Sequence, residues 1–218
     1  YLNRFLIGGT GRARQSIALT RTVLQRRLAS STFTIYESLK RRLKRQEDLL
    51  EELQKLPLDR QRKRLAELRG AIIDDEREED DLDEKERDEL VDELTTAEQL
   101  GELQEEIAYL KDLIEFAKGV YEHAPDSKLN TLKQVLEKAE FAELKDGRGK
   151  LLIFTEHRDT MNYLSDHLRH WGFSTCVIHG RMNPHERKKA QEKFRTESQI
   201  CAATEAAGEG INLQFCHL

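Results

Sequence analysis

Three short segments of the chain hold residue types that bind phosphate groups, and each follows a short apolar run. The first is Thr155-Glu156, the second is His179-Gly180-Arg181, and the third spans residues 204–212. Hydroxyl, guanidinium and backbone N–H groups all donate hydrogen bonds to phosphate oxygens. In the third segment, Gly208 and Gly210 let the backbone approach a ligand closely. The segments therefore predict a site for a phosphate-bearing ligand.

Alternating strands and helices are predicted to position these segments. Apolar runs predict strands at residues 151–154, 175–178 and 199–203, with helices at about 160–171 and 184–195. Strands that alternate with helices of about ten to fifteen residues indicate a parallel sheet. Ligands bind outside the carboxyl ends of such strands, so we expect the three segments to form one continuous edge. A tight strand-to-helix turn without a ligand would also explain a glycine pair after a strand.

The amino-terminal half is predicted to be all helical. Residues 16–56 contain no proline or glycine, and Ser30-Ser31-Thr32 favours either two helices or one interrupted helix. A shorter basic helix is predicted over about residues 59–69, before Gly70. A further apolar seam has alternating spacings of four and three residues, which is typical of a helix that packs on a partner helix. Its members are Leu103, Ile107, Leu110, Ile114 and Ala117. The simplest arrangement is an antiparallel helical hairpin, or coiled coil, with residues 35–56.

Charge is segregated along the chain, although the formal net charge is only −5. Residues 1–46 carry eleven basic side chains and one acidic side chain, whereas residues 70–118 carry five basic and twenty acidic ones. Residues 74–89 are nearly all charged and are predicted to form an exposed acidic tip. The basic block could follow a nucleic-acid backbone, because such binding is largely electrostatic, or it could pair with the acidic block. Both alternatives remain open at this point.

The composition narrows the class of protein. Charged residues make up 35% and hydrophobic residues 38% of the 218 residues, against a usual ~25% and ~45–50%. This favours one ordinary core plus a long, solvated helical part. No apolar run approaches the ~20 residues that a membrane span needs. The chain begins with Tyr1 and shows no signal peptide, so we expect a fragment of a larger cytoplasmic protein.

The cysteines do not indicate a metal site. Cys176, Cys201 and Cys216 lack the paired spacing of zinc or redox motifs. We therefore expect reduced structural thiols and no bound metal in this part of the chain.

The three segments, in their order along the chain, resemble motifs of the second RecA-like lobe of superfamily-two helicases and translocases. The stretches that carry the resemblance are residues 150–160, residues 177–182 with Glu186-Arg187 and Phe194, and residues 203–214. They look most like the SWI/SNF-like branch, which includes the bacterial RNA-polymerase-associated ATPase. Residues 24–31 also resemble the helical segment that some bacterial members place between their two lobes.

The resemblance implies a fold and two domains. Residues 121–218 would form an α/β, parallel-sheet RecA-like lobe, truncated before the sixth motif. Residues 1–120 would form an all-α helical insertion that protrudes from the motor.

The resemblance also implies roles for nine residues. Those expected at the nucleic-acid backbone are Thr155, Glu156, His179, Gly180, Arg181 and Thr204. Those expected to lie toward a bound nucleotide are Gly208, Gly210 and Asn212.

The activity implied is that of an ATP-dependent translocase or helicase on nucleic acid, with duplex DNA as a sequence-independent track. The chain contains no Gly-x-x-x-x-Gly-Lys-[Ser/Thr], so ATP and Mg would be bound mainly by a missing amino-terminal lobe of the same protein. The family's arginine finger would follow Leu218. We therefore assign no catalytic residue here and expect the fragment alone not to hydrolyse ATP. The alternatives are a scaffold whose helical hairpin binds a protein partner, and an RNA or single-strand helicase lobe.

Overall fold

The computed structural model describes residues 1–8, 12–70, 84–138 and 141–204. The chain divides into two compact units, residues 1–123 and 124–218. Among the described residues, no helix combines the length and apolar character that a membrane span requires.

Helices are the regular secondary structure of the first unit in its described residues. Its elements are α1 Leu2–Phe5, α2 Arg12–Ser30, α3 Thr32–Gln54, α4 Leu58–Gly70, α5 Glu84–Glu93 and α6 Leu100–His123. Ser31 separates α2 from α3, because its backbone is extended and its hydroxyl accepts a hydrogen bond from the Thr34 N–H at 3.0 Å. The sequence left open either two helices or one interrupted helix, and the structure confirms two helices.

Helices α3 and α6 pack against each other in antiparallel directions. At one end, the rings of Tyr36 and Tyr121 stack with centroids 6.0 Å apart. At the other end, Leu53 and Leu103 share one core cluster. The leucine and isoleucine members of the predicted seam are buried. Whether this pair forms a protruding insertion in a motor stays a prediction.

Part of the predicted acidic tip lies in helix α5. Residues 84–89 are helical, and α5 packs against α2 and α3. Burial of apolar side chains holds α5 against its neighbours, because Leu90, Val91 and Leu94 are buried in one cluster with residues of α2. The rest of the predicted tip, residues 74–83, lies outside the described residues.

Several members of the basic block pair with the acidic block. The Arg27 guanidinium binds Asp88, and Arg42 binds Glu106 at 2.7 Å. Further pairs include Arg41–Asp92 at 3.6 Å and Arg45–Glu93 at 3.7 Å. For these four arginines, pairing within the unit is the alternative that the structure supports.

The Arg42 side chain is fully buried where α3, α5 and α6 meet, and each of its three nitrogen atoms donates a hydrogen bond. Its guanidinium donates hydrogen bonds to the Val91 carbonyl at 2.5 Å and to the Leu94 carbonyl at 2.7 Å. It also binds the Glu106 carboxylate and the Tyr1 hydroxyl, which itself donates to Glu106 at 2.5 Å. A buried charge is tolerated only with such partners, so this network fixes how the three helices pack.

The second unit is an α/β domain with a three-stranded parallel sheet in its described residues. Its elements are α7 Ser127–Leu136, α8 Ala142–Lys145, β1 Leu151–Thr155, α9 Arg158–His170, β2 Thr175–Ile178, α10 Pro184–Thr196 and β3 Ile200–Thr204. The predicted strands, helices and parallel pairing are confirmed, with bounds shifted by at most two residues. The strand order is β1-β3-β2, so β3 is central and all five of its residues are buried.

The two faces of this sheet carry separate cores. On one face, Phe194 of α10 packs with Cys176, Cys201 and Ala203. On the other, Leu168 of α9 packs with Ile200 and with residues of α7 and α8. Alternate residues of β3 serve alternate faces, as the two-residue period of a strand requires.

We expect Arg42→Met to lower the free energy of unfolding by about 3–5 kcal/mol, because it leaves the Glu106 carboxylate buried without its charge partner. Urea unfolding of the full chain measures this loss. The double variant Arg42→Met/Glu106→Met should regain much of it, since apolar replacements of a whole buried pair are often near neutral. A double variant no more stable than the single one would contradict this account.

Asp92 makes stability depend on pH. It is 7% exposed, and among the described residues its Oδ1 has no hydrogen-bond partner. Burial raises the pKa of Asp92 to about 6, although Arg41 and Arg27 lower it. Since the ordinary pKa is 3.8, the native state binds this proton more tightly than the unfolded state. The native state should therefore lose stability as pH rises from about 4 to about 6.

We expect Asp92→Asn to be more stable than the wild type at pH 7, by on the order of 2–3 kcal/mol. The difference should shrink to nothing below about pH 4. Urea unfolding of both chains across pH 4–7 checks the prediction. Parallel pH profiles for the two chains would show that this carboxyl does not carry the effect.

Candidate functional site

The sheet brings the three predicted segments to one edge. Thr155 and Thr204 end β1 and β3 and are direct register partners. His179 follows β2, whose last residue Ile178 is in register with Ala203. The continuous edge expected from the sequence is therefore present, while the binding roles of its residues stay predictions.

The loop after β2 is tied to β3 by a hydrogen bond. The Gly180 N–H donates to the Thr204 Oγ1 at 3.3 Å, and Thr204 is buried. Within the loop, the Met182 N–H donates to the His179 carbonyl at 3.1 Å, which closes a turn. The Thr204 hydroxyl therefore has a structural task, in addition to the phosphate contact predicted for it.

Arg187 holds the same loop from the other side. Its Nη2 donates to the Gly180 carbonyl at 2.7 Å and its Nε to the Met182 carbonyl at 3.1 Å. The start of α10 positions this arginine through a capping box between Asn183 and Glu186. In the sequence, Arg187 belongs to one of the three motifs, but the motif did not predict this role. Its partners are main-chain carbonyls, which leave no signal in the sequence.

The electrostatic field at this loop is positive. Burial lowers the pKa of His179 below its ordinary 6.5, and the charges of Arg158, Arg181 and Arg187 lower it further. Glu186 acts in the opposite direction. The lowered pKa favours the neutral form of this imidazole. Its Nδ1 is buried and has no hydrogen-bond partner among the described residues.

Glu156 is the acidic member of the edge. Its carboxylate lies 3.8 Å from the His157 Nε2, and its side chain is partly exposed. A carboxylate repels phosphate, so a contact from this residue would use its backbone N–H, and the predicted role of Glu156 stays a prediction. The edge as a whole combines backbone and hydroxyl donors with the guanidinium groups of Arg158 and Arg181, and such a set of donors is suited to binding anions.

Gly208, Gly210 and Asn212 lie outside the described residues, so the nucleotide side of the site stays a prediction. Among the described residues there is no cluster of three or more His, Cys, Asp or Glu side chains that could hold a metal ion.

Comparison with known proteins finds similarity between the second unit and helicases. Residues 127–218 match the family described as "Helicase conserved C-terminal domain". An uncharacterized ATP-dependent helicase of Bacillus subtilis, YqhH, is 43% identical over 68 residues, which is 31% of this chain and 12% of the relative. The ATP-dependent RNA helicase DBP2 of Candida glabrata is 29% identical over 116 residues, or 49% of this chain and 21% of the relative.

These matches support a superfamily-two helicase C-terminal domain with a RecA-like α/β fold. The chain covers about an eighth to a fifth of the length of these relatives. They do not single out the SWI/SNF-like branch, which stays a prediction.

The tie between β3 and the β2 loop can be tested directly. We expect Thr204→Val to speed amide hydrogen exchange at Gly180 by about fivefold, because one hydrogen bond of about 1 kcal/mol is lost. Residue-resolved exchange by NMR on the full chain measures this. Thr204→Ser is the matched control and should keep the native rate, since it retains the hydroxyl. Equal exchange rates in the valine and serine variants would refute the assignment.

Proposed function

We propose that residues 124–218 act as the second motor lobe of an ATP-dependent nucleic-acid motor, and that the chain joins this lobe to a helical segment. One observation supports this most directly. Three strand ends converge at one edge, where a turn tied by Thr204 and Arg187 lies among arginine side chains. The matches to helicases agree with a motor of this class.

The proposed contacts are with the sugar-phosphate backbone. Thr155, the turn at residues 179–181 and Thr204 would donate hydrogen bonds to successive phosphates. Contacts of this type position a protein but do not read bases, so binding would be independent of sequence. Glu156 would contribute through its backbone N–H, because its carboxylate repels phosphate.

ATP would lie between this lobe and another lobe of the same protein, with Gly208, Gly210 and Asn212 toward the nucleotide. Phosphoryl transfer depends on positioned charges and on closure of the site. Closure would also move the phosphate-contacting loops along the track. With neither a phosphate-binding Gly-x-x-x-x-Gly-Lys-[Ser/Thr] nor an assigned arginine finger, the 218 residues alone should not turn over ATP.

Duplex DNA is the track we propose, on the basis of the resemblance to SWI/SNF-like translocases. A second candidate is an RNA helicase, because several relatives carry that name, among them DBP2 of Candida glabrata. A third candidate is a protein partner that binds the helical unit. Leu28 and Phe116 line an apolar groove there, and their exposed fractions are 58% and 71%.

The decisive experiment measures ATP turnover by the full-length protein without nucleic acid, then with duplex DNA, single-stranded DNA or RNA, at two salt concentrations. Stimulation chiefly by duplex DNA that weakens with salt is the expected result. Stimulation chiefly by RNA would replace the proposed track with the second candidate. No turnover with any nucleic acid would overturn the motor proposal.

A single arginine tests the proposed contact surface. We expect Arg181→Ala to weaken binding of all sequences alike and to reduce the slope of log affinity against log salt by about one. Arg148→Ala is the matched control, because this exposed arginine precedes the opposite end of β1 and pairs with Asp146. Fluorescence anisotropy of the full-length protein with labelled duplexes at several salt concentrations measures both. An equal slope in the two variants would exclude Arg181 from the interface.

A further inference from the structure

Two of the three cysteines lie side by side on neighbouring strands of the parallel sheet. Cys176 on β2 and Cys201 on β3 are direct register partners. Both belong to the core cluster that contains Phe194 of α10, so their side chains lie on the same face of the sheet. Cys201 is fully buried and Cys176 is 5% exposed.

The separation of the two strands suits a covalent link. Neighbouring strands lie about 4.7–4.9 Å apart, and disulfides usually join Cα atoms roughly 4.4–6.8 Å apart. Joining the sulfurs therefore requires adjustment of the side chains and not a new strand pairing.

The surroundings of Cys176 favour its thiolate. The neighbouring Cys201 thiol lowers the pKa of Cys176, and so do the charges of Lys193 and Lys150, against the opposing effect of burial. Lys150 is fixed nearby, because its Nζ donates to the Ser198 carbonyl at 2.7 Å. The thiolate is the reactive form of cysteine, so Cys176 is the thiol that reacts first.

We propose that Cys176 and Cys201 form an oxidative modification site, in which hydrogen peroxide converts the two thiols into a reversible disulfide within the sheet. First, the Cys176 sulfur attacks one peroxide oxygen, an S–O bond forms, the O–O bond breaks, and the departing hydroxide takes a proton to become water. Next, the Cys201 sulfur attacks the Cys176 sulfur, the S–S bond forms, the S–O bond breaks, and a second water leaves with the Cys201 proton. The two thiols lose two electrons and the peroxide gains them.

This site is distinct from the proposed nucleic-acid edge. Cys176 and Cys201 are each the second residue of their strand, whereas the edge residues end β1 and β3 or follow the last residues of β1 and β2. A disulfide between Cys176 and Cys201 would fix β2 to β3 near the amino ends of these strands. It would replace none of the groups that hold the turn at residues 179–182. The inference therefore does not depend on the proposed function.

Peptide mapping of the full chain tests the proposal. The reduced, native protein is exposed to a small excess of hydrogen peroxide, its remaining thiols are alkylated, and it is digested with trypsin without reductant. Cleavage after Arg169, Arg181 and Arg195 places Cys176 in the peptide 170–181 and Cys201 in a peptide that begins at Thr196. The expected result is a linked pair of these peptides that a reducing agent separates.

Three serine variants identify the sulfurs involved. Cys176→Ser should abolish the linked pair and leave Cys201 open to alkylation after unfolding. Cys201→Ser should leave a sulfenic acid on Cys176 that dimedone traps. Cys216→Ser is the matched control, because Cys216 lies in the same tryptic peptide as Cys201, and the link should persist in it.

Two results would overturn the proposal. One is that both thiols of the native wild type remain alkylatable at a peroxide dose that oxidises an added peptide thiol. The other is that the linked peptide is lost in Cys216→Ser, since the bond would then involve that cysteine instead. The wild-type mapping is decisive even where a serine variant fails to fold.

Discussion

The central position of β3 is the constraint on which the candidate site depends. Both outer strands pair with it in parallel, so the carboxyl ends of all three strands must lie at one edge. Its register sets Thr155 beside Thr204 and leaves the turn after β2 within hydrogen-bonding reach of the Thr204 hydroxyl. Residues separated by about fifty positions in sequence become neighbours through this pairing alone. Burial of all five β3 residues holds the arrangement, since sliding by one residue would exchange the two core faces.

Local patterns were sufficient to predict the three strands of the second unit and its helices α9 and α10. Its strands are short apolar runs, and α10 begins with an Asn183–Glu186 capping box and Pro184 that can be recognised in the sequence. The strand order and the role of Arg187 could not be predicted in this way, because they rest on pairings and main-chain carbonyls distant in sequence. For the same reason, the burial of α5 was missed. Its charged stretch looked fully exposed, yet Leu90 and Val91 attach it to α2.

The first unit shows why a basic sequence does not by itself indicate nucleic-acid binding. Arg42 and Arg27 are buried and bind carboxylates, and Arg42 also holds two carbonyls at the end of α5. A guanidinium is suited to this task, because its planar donors can serve several acceptors at once. These charges organise helix packing and cannot also attract an external phosphate. In the sequence the two uses look alike, since they differ only in where acidic partners lie after folding.

The charge balance at the edge of the second unit suits a contact that must form and break repeatedly. Arg158 and Arg181 lower the pKa of the half-buried His179, and Glu186 opposes them. Arg187 is engaged with the carbonyls of the turn, so it shapes the loop more than it adds free positive charge. Each phosphate would then be held mainly by backbone and hydroxyl donors with limited ionic attraction. A motor that steps along a polyanion needs contacts of this moderate strength, because a loop held by several unpaired arginines would release each phosphate too slowly for repeated closure and opening.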